Sequence, residues 1–283
     1  MPTLNQSIQS LYDQSSALWE STWGEHMHHG FYRSGENSQN KDRQQAQIDL
    51  IKELLNWAEL DSEPKQILDL GCGIGGSSLY LAKKFPQAQV TGITLSPVQA
   101  SRAKERAFEK GLSDCASFLV ADALFMPFPD NSFDLIWSLE SGEHMPDKHK
   151  FLQECDRVLK PGGKLIFATW CHRPIDAKPL SNYEQKHLQR IYDVYCLPFV
   201  ISLPEYLEIA ESLNFQNLRT VDWSKQVAPF WDVVITSFLT PETFLAVWRS
   251  GLTTLTAAMS LRLMSRGFAS GLVRFGVLVG TKK

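Results

Sequence analysis

The chain has 283 residues, of which 43% are apolar and 21% charged, enough to bury a core and too few charges for a disordered protein. A formal net charge of -3 excludes the clustered basic excess that nucleic acid requires, and no uncharged run approaches the roughly 20 apolar residues of a membrane-spanning helix. The five cysteines, Cys72, Cys115, Cys155, Cys171 and Cys196, show no C-x-x-C pair and no zinc spacing, so free thiols in a reducing compartment and no metal are expected.

Met1 to Gln9 lacks the basic start and apolar run of a secretory signal, which predicts a cytoplasmic or already trimmed chain. Residues 1–60 carry no strand signal. Ile48, Ile51, Leu55 and Ala58 recur at helical spacing and predict an amphipathic helix over Asp42–Leu60, led by the polar stretch Arg33–Lys41. From Lys65 onward, short β-rich runs alternate with helical patterns, the mark of a mostly parallel sheet. The strands read as Gln66–Leu70, Gln89–Thr94, Ser117–Ala121, Phe133–Leu139 and Lys164–Trp170. Ser96 and Pro97 suit the cap and first residue of a helix that Gly111 stops; Pro146 opens the next one, and Lys160–Gly163 closes it. Beyond Trp170 two mostly helical blocks, Ser181–Leu213 and Lys225–Gly271, flank a strand at Leu218–Trp223, and Leu272–Thr281 returns as an inserted last strand. The expected fold is α/β, a Rossmann-like doubly wound, mostly parallel seven-stranded sheet in one domain over residues 1–283. It would comprise a helical N-terminal lid (1–60), a cofactor-binding core (61–175), a mostly helical acceptor cap (176–271) and the last strand (272–283).

The strongest local signal is Ile67–Gly76, where a buried strand runs into closely spaced glycines and then a helix. Gly71, Gly73 and Gly75 permit a tight positive-φ turn and let backbone approach a ligand. The G-x-G-x-G spelling, with Asp69 two residues before the first glycine, resembles methyltransferases rather than nicotinamide dehydrogenases; the plain alternative is a structural turn. A sulfonium donor has no pyrophosphate, so the turn must accept an amino acid end and an adenosine, and Asp69 could meet the donor's ammonium. Asp122, followed by Ala123 at the end of the third strand, could accept from the adenine amino group or serve only as a turn former.

Four blocks carry a wider resemblance: Gly24–Gly30, Val90–Gln99, Ser138–Lys148 and Tyr195–Pro198 are similar to γ-tocopherol C-methyltransferases, especially cyanobacterial ones. The resemblance implies methyl transfer from S-adenosyl-L-methionine, leaving S-adenosyl-L-homocysteine, to an aromatic carbon of γ- or δ-tocopherol, giving α- or β-tocopherol. Plant alkaloid N-methyltransferases are similar too, which keeps a small aromatic amine open as acceptor; a non-catalytic donor-binding regulator is a further alternative. The second strand ends in Thr94, where many methyltransferases have an acid for the ribose hydroxyls. The T-L-S spelling is similar to mycolic-acid cyclopropane synthases and makes Gln99, with Thr94 and the backbone of Leu95, the ribose candidates, against an exposed first-turn residue as the alternative for Gln99. Ser138 and Tyr32 complete the expected donor site.

Methylating a phenol's ring carbon is helped by removing its hydroxyl proton, whose pKa is about 10, through a hydrogen-bonded base. His144, beyond the fourth strand, is the expected base, oriented by Glu140 and Glu143; its alternative is a loop-packing histidine. Glu140 has a second reading, contact with the sulfonium region or the acceptor, and His172 is a weaker candidate base. His26, His28 and His29 lack the partners of a metal motif and read as part of a lid with Trp23 and Tyr32. A lipophilic aromatic acceptor needs an apolar slot, for which Tyr195, Leu197, Phe199, Val200, Phe230, Trp231, Phe244, Trp248, Leu255 and Met259 are candidates; each alone is as readily core. An apolar face near Arg249, Arg262 and Arg266 would suit peripheral attachment at a photosynthetic membrane. Oligomeric state stays open.

Overall fold

Alternating strand and helix signals produce the expected layered arrangement in the computed structural model, which describes residues 3–36, 38, 41–176, 178–237 and 252–283 and, within its helices, not the side chains of residues 18, 21–23, 237 and 252–260. The first helix, α1 (Leu4–Trp23), starts at a capping box in which the Thr3 side chain accepts from the Gln6 N–H and the Gln6 side chain returns to Thr3. Helix α2 (Arg43–Ala58) is capped by Asp42 and buries Ala46, Leu50, Leu54 and Ala58, a four-residue spacing that lays one stripe against the sheet. Then follow β1 (Gln66–Leu70), α3 (Gly76–Lys84), β2 (Gln89–Thr94), α4 (Pro97–Glu109), β3 (Ala116–Val120) and β4 (Phe133–Leu139). A short 3-10 turn at Gly142–His144 leads to α5 (Lys148–Val158) and β5 (Leu159–His172). The remainder is α6 (Asn182–Tyr195), α7 (Leu203–Glu211), β6 (Phe215–Asp222), α8 (Ser224–Val227), α9 (Pro229–Ser237), α10 (Leu252–Ala269) and β7 (Val273–Lys282).

The seven strands form one sheet in the order β3-β2-β1-β4-β5-β7-β6, parallel except for β7, which runs antiparallel to both neighbours. The order reverses direction between β1 and β4, so their carboxyl ends flank the crevice where open α/β sheets take ligands. Alternate residues serve opposite layers: Ile166, Ala168 and Trp170 of β5 join Trp137 and Val277 in one core, and Leu165, Phe167 and Cys171 join Ile136 and Leu278 in the other.

Strands β1, β2 and β4 have the bounds their sequence predicts. Strand β5 is longer than expected, because β7 pairs along it from Lys164–Thr281 to His172–Val273 and Leu159 pairs with Phe133. Lys160–Gly163 therefore belongs to a strand rather than to a helix stop, with the register shift at Phe133/Leu135 absorbing Gly162 at φ 78°. The helix after Pro146 starts at Lys148 with Asp147 as its cap. All five cysteines are free. No helix among the described residues is long and apolar enough to cross a membrane.

Candidate active site

The turn after β1 is held by its own backbone: the N–H groups of Gly71 and Cys72 both donate to the Ile93 carbonyl at 2.9 Å. Gly71, at φ 73°, leaves no room for a Cβ, which would overlap the Ser141 side chain. At Gly73 (φ 53°) a Cβ would stand 3.8 Å from the Met27 sulfur and 3.9 Å from Gln99 Nε2, both cleft-lining residues. Gly75 has a different task. It caps α3, and a Cβ there would come within 2.9 Å of the Phe118 ring, so it sets helix-to-strand packing and does not line the cleft.

The cleft, partly open to solvent, takes in about 840 Å³ of space and is lined by Asp69, Gly71 to Ile74, Gly76 and Ser77, by Thr94 to Ser96 and Gln99, by Leu139 to Ser141, His144 and Met145, and by Ile8, Tyr12 and His26 to His28. Asp69 is buried and accepts from Ser78 Oγ at 2.5 Å; burial pushes its carboxyl up to about 7, the Ser78 hydrogen bonds only partly opposing this. Gln99 is buried rather than exposed, its N–H donating to the cap residue Ser96 at 3.0 Å and its Oε1 accepting from Thr94 Oγ1 at 2.8 Å, which leaves Nε2 beside the Met27 sulfur. Backbone amides, one carboxyl and a fixed amide–hydroxyl pair in one cradle fit the polar ends of a sulfonium nucleoside.

Helix α1 lies across this cleft through polar contacts along its length. Asn5 Nδ2 donates to Asp122 Oδ2 at 2.9 Å, Tyr12 Oη meets His144 Nε2 at 2.8 Å, Ser96 Oγ donates to Asp13 at 2.5 Å, and Arg102 pairs with Glu20 at 2.9 Å. The segment that follows is tied by Glu25 to Arg106 at 3.0 Å and to Lys110 at 2.7 Å.

Eight expected residues meet in the cleft: Asp69, Gly71, Gly73, Thr94, Leu95, Gln99, Glu140 and His144. Besides Gly75, four others fall outside its lining. Asp122 turns its Oδ1 to the Leu124 N–H at 2.9 Å, the turn-forming role, and its other oxygen to Asn5, with Ala123 buried behind it. Ser138 points to Ser141 Oγ, 2.8 Å away, and Ser141 in turn donates to the Leu70 carbonyl at 2.7 Å. Tyr32 packs below Lys41 and donates its backbone N–H to the Gln226 carbonyl at 2.9 Å.

A second space of about 430 Å³ adjoins the cleft, sharing Tyr12, Met27, His28, Glu140 and His144 with it and adding His29, Glu143, Trp19, Trp170, Tyr195, Phe230 and Trp231. Of the expected slot residues, Tyr195, Phe230 and Trp231 line this chamber. Leu197 and Val200 are core, and Phe199 is partly exposed beneath Lys148 Nζ. Phe244, Trp248 and Arg249 lie outside the described residues, as do the side chains of Trp23, Leu255 and Met259.

The carboxylates do not orient His144. Glu140, itself at φ 55°, accepts from the His29 N–H at 2.7 Å, from His29 Nδ1 at 2.7 Å and from Trp170 Nε1 at 3.0 Å. Burial alone would raise its pKa, but the adjacent His29, its two hydrogen bonds and the nearby His28 hold it below the ordinary carboxylate range. Glu143 accepts from Thr169 Oγ1 at 2.7 Å, and burial, reinforced by Glu140, pushes it up to about 7. His144 has Tyr12 as its partner instead; burial and then Lys148 push it down to about 3, so its ring is neutral near pH 7. His172 sits apart, its Nδ1 on the Arg173 carbonyl at 2.7 Å.

His29, Tyr12 and Met27 are site residues that sequence reasoning did not single out for chemistry. His29 meets a partner 111 positions away, which no local spacing reveals. Among the described residues no group of three or more potential ligands could hold a metal ion.

Residues 68–167 match a family model described as Methyltransferase domain. The chain is 50% identical over 287 residues, covering 99% of its length and 79% of the relative's, to "Probable tocopherol O-methyltransferase, chloroplastic" of Oryza sativa subsp. japonica. It is 45% identical, covering 99% of its length and 82% of the relative's, to "Tocopherol O-methyltransferase, chloroplastic" of Arabidopsis thaliana. A crystal structure of geranyl diphosphate C-methyltransferase from Streptomyces coelicolor A3(2), in complex with Mg2+, geranyl diphosphate and S-adenosyl-L-homocysteine, superposes with a TM-score of 0.81 at 20% identity, covering 100% of this chain and 98% of that one, and shares its fold.

Proposed function

This chain belongs to the tocopherol O-methyltransferase family of S-adenosylmethionine-dependent enzymes, and we propose that it methylates an aromatic ring carbon of γ- or δ-tocopherol to give α- or β-tocopherol. The observation that carries the proposal is the polar cleft opening into an aromatic chamber across a shared wall of Tyr12, Met27, His28, Glu140 and His144. A cradle for a charged nucleoside next to a chamber faced by indole and phenyl rings suits a flat, apolar acceptor.

When bound, S-adenosylmethionine supplies a methyl group activated by its positive sulfur. Asp69 and the turn at Gly71 and Gly73 would hold the amino acid end, and Thr94, Leu95 and Gln99 the ribose. Asp122 and Ala123 would reach the adenine once Asn5 releases the Asp122 carboxylate; Gly75 and Ser138 then act only through packing, and Tyr32 through the lid. Trp170, Tyr195, Phe230 and Trp231 orient the acceptor ring and exclude water, which supplies the alignment that methyl transfer needs. His144, neutral and hydrogen-bonded to Tyr12, stands at the boundary of the two spaces.

The rice and Arabidopsis relatives are named O-methyltransferases, whereas ring-carbon transfer leaves the phenol free. Incubating the purified chain with labelled donor and a panel of γ- and δ-tocopherol, hydroquinone precursors and indole amines, followed by mass spectrometry and NMR of the product, tests the proposal. A new ring methyl with a free hydroxyl is the expected result; an ether, or label only on amine nitrogen, refutes it. An acceptor with so long an apolar tail partitions into membranes, so peripheral attachment at a photosynthetic membrane belongs to the same proposal and is checked by liposome co-sedimentation.

A further inference from the structure

The aromatic chamber holds a carboxylate–imidazole pair built from residues distant in sequence. His29 is 1% exposed and boxed by the rings of Trp170, Phe230, Trp231, Phe268 and Phe275 at centroid distances of 4.9 to 6.0 Å. Glu140 grips it twice, one oxygen on its backbone N–H and the other on Nδ1, each at 2.7 Å. Its Nε2 is buried with no partner among the described residues. A carboxylate on Nδ1 fixes the hydrogen there, so Nε2 presents a lone pair. A buried polar atom without a partner costs about 1–3 kcal/mol, and its retention beside a chamber points to a ligand that satisfies it.

Two other imidazoles line the chamber, each likewise with one buried ring nitrogen lacking a partner among the described residues, and it is what holds the other nitrogen that separates them from His29. His28 sets Nδ1 on the His29 carbonyl at 2.8 Å, and His144 sets Nε2 on the Tyr12 hydroxyl. Neither ring is hydrogen-bonded to an anion: burial outweighs the raising charge of Glu140 at His28, and burial and then Lys148 lower His144, so both pKa values fall. Besides Glu140, the remaining ionisable groups facing the chamber are Glu143, engaged by Thr169, Tyr12, whose hydroxyl burial and the two glutamates keep protonated, and Tyr195, whose ring packs edge-on against Trp170. We propose that His29, oriented by Glu140, is the catalytic base that takes the hydroxyl proton from the acceptor, with Glu140 as a positioning residue.

The inference rests on the phenolic acceptor proposed above. The acceptor's O–H bond breaks as Nε2–H forms, and the electron pair left on oxygen spreads to the ortho carbon. That carbon forms the bond to methyl while the pair of the old sulfur–carbon bond stays on sulfur. The displaced ring hydrogen then moves to the oxygen, restoring the aromatic phenol, and the imidazolium proton leaves to water, so one proton is released per turnover.

The test uses the full chain carrying His29→Asn, whose amide keeps an N–H for Glu140 but offers no base, alongside Glu140→Gln and the conservative Glu140→Asp. Expected for His29→Asn are a fall in kcat of about 10²- to 10⁴-fold, loss of the wild-type acid limb in the pH profile, and donor affinity by calorimetry within about threefold of wild type. A second readout needs no turnover: p-nitrophenol bound to the enzyme with S-adenosylhomocysteine reports its ionisation by absorbance. Wild type should ionise it more than His29→Asn or Glu140→Gln does, and Glu140→Asp should partly restore the signal. Should His29→Asn not fold, the nitrophenol signal of Glu140→Gln decides, its loss supporting the pair and its retention overturning it. A wild-type pH profile in His29→Asn, or loss of the acid limb in His144→Asn alone, also overturns it. Ionisation of nitrophenol by a wild-type enzyme that methylates no tocopherol would keep the base and reject the acceptor.

Discussion

Alanine at Gly71 and alanine at Gly73 should fail in different ways, although both residues sit in one turn at positive φ. Gly71 is at φ 73°, where a Cβ costs about 1–2 kcal/mol. The added carbon also overlaps the side chain of Ser141, which cannot swing aside freely because Ser138 and the Leu70 carbonyl hold it at 2.8 and 2.7 Å. Overpacking of that kind costs about 1–3 kcal/mol, and each displaced hydrogen bond about 1 kcal/mol more. A total of about 4–7 kcal/mol, at roughly 2–4 °C per kcal/mol for a chain of this size, lowers Tm by about 15 °C. Gly73, at φ 53°, carries only the conformational cost, since its nearest atoms are at ordinary contact distance, 3.8 and 3.9 Å. Its Tm should fall by about 3 °C, while the methyl group intrudes between two cleft residues and weakens S-adenosylhomocysteine binding by about 10- to 100-fold, the equivalent of overpacking by 1–3 kcal/mol. Differential scanning fluorimetry and titration calorimetry separate the two. A Gly71→Ala protein as stable as wild type, or a Gly73→Ala protein that binds normally, refutes this account of the turn.

Donor binding should be proton-linked through Asp69. Its folded pKa is raised to about 7, so below that pH the carboxyl is protonated and must ionise to meet a cationic ammonium; affinity therefore rises with pH and levels off, by about tenfold between pH 6 and 8, and calorimetry in buffers of different ionisation heat should lose this dependence in Asp69→Asn. The double variant Asn5→Ala, Asp13→Ala removes two contacts that hold α1 over the cleft. At about 1 kcal/mol each, their loss should speed S-adenosylhomocysteine dissociation roughly 30-fold in stopped flow, and an unchanged rate would show that α1 does not gate the site. His144, pushed down to about 3 by burial, stays neutral in the fold while the unfolded chain takes up a proton below about 6.5. Stability is thus lost as pH falls through that window, at up to about 1.4 kcal/mol per unit, and urea titrations at pH 7 and 5 should show a smaller drop for His144→Gln than for wild type.

The sheet was largely legible because its central strands are buried on both faces and punctuated by unambiguous residues: glycines after Leu70, and Ser96 with Pro97 after Thr94. Bounds drifted where pairing to another strand decides them, as at β5, whose C-terminal end is set by β7 about 100 positions on and whose start is set by Leu159 pairing with Phe133 of β4. Helix α1 is rich in Gln and Ser, and its apolar Ile8 and Tyr12 face a cleft rather than a core, so no periodic stripe announces it. In the site, the glycine turn, Asp69 and Gln99 were readable from type and spacing. The role of Glu140 was not, because its neighbours in space, His29 and Trp170, come from the N-terminal segment and the next strand. Proximity in sequence suggested His144 as the partner of Glu140; the left-handed backbone at Glu140 turns the carboxylate toward His29 instead.

Strand β7 fills the slot between β5 and β6 and bonds to both, yet the ribosome makes it after either neighbour. Until it emerges, two strand edges stand open, a template for pairing with other nascent chains. Lys282, just at the end of this strand, donates to the carbonyls of Asp156 and Leu159 and to Asn131, so the strand made after both its neighbours also locks the seam. Late insertion of β7 is therefore the step at which a chaperone shielding the gap during synthesis would act.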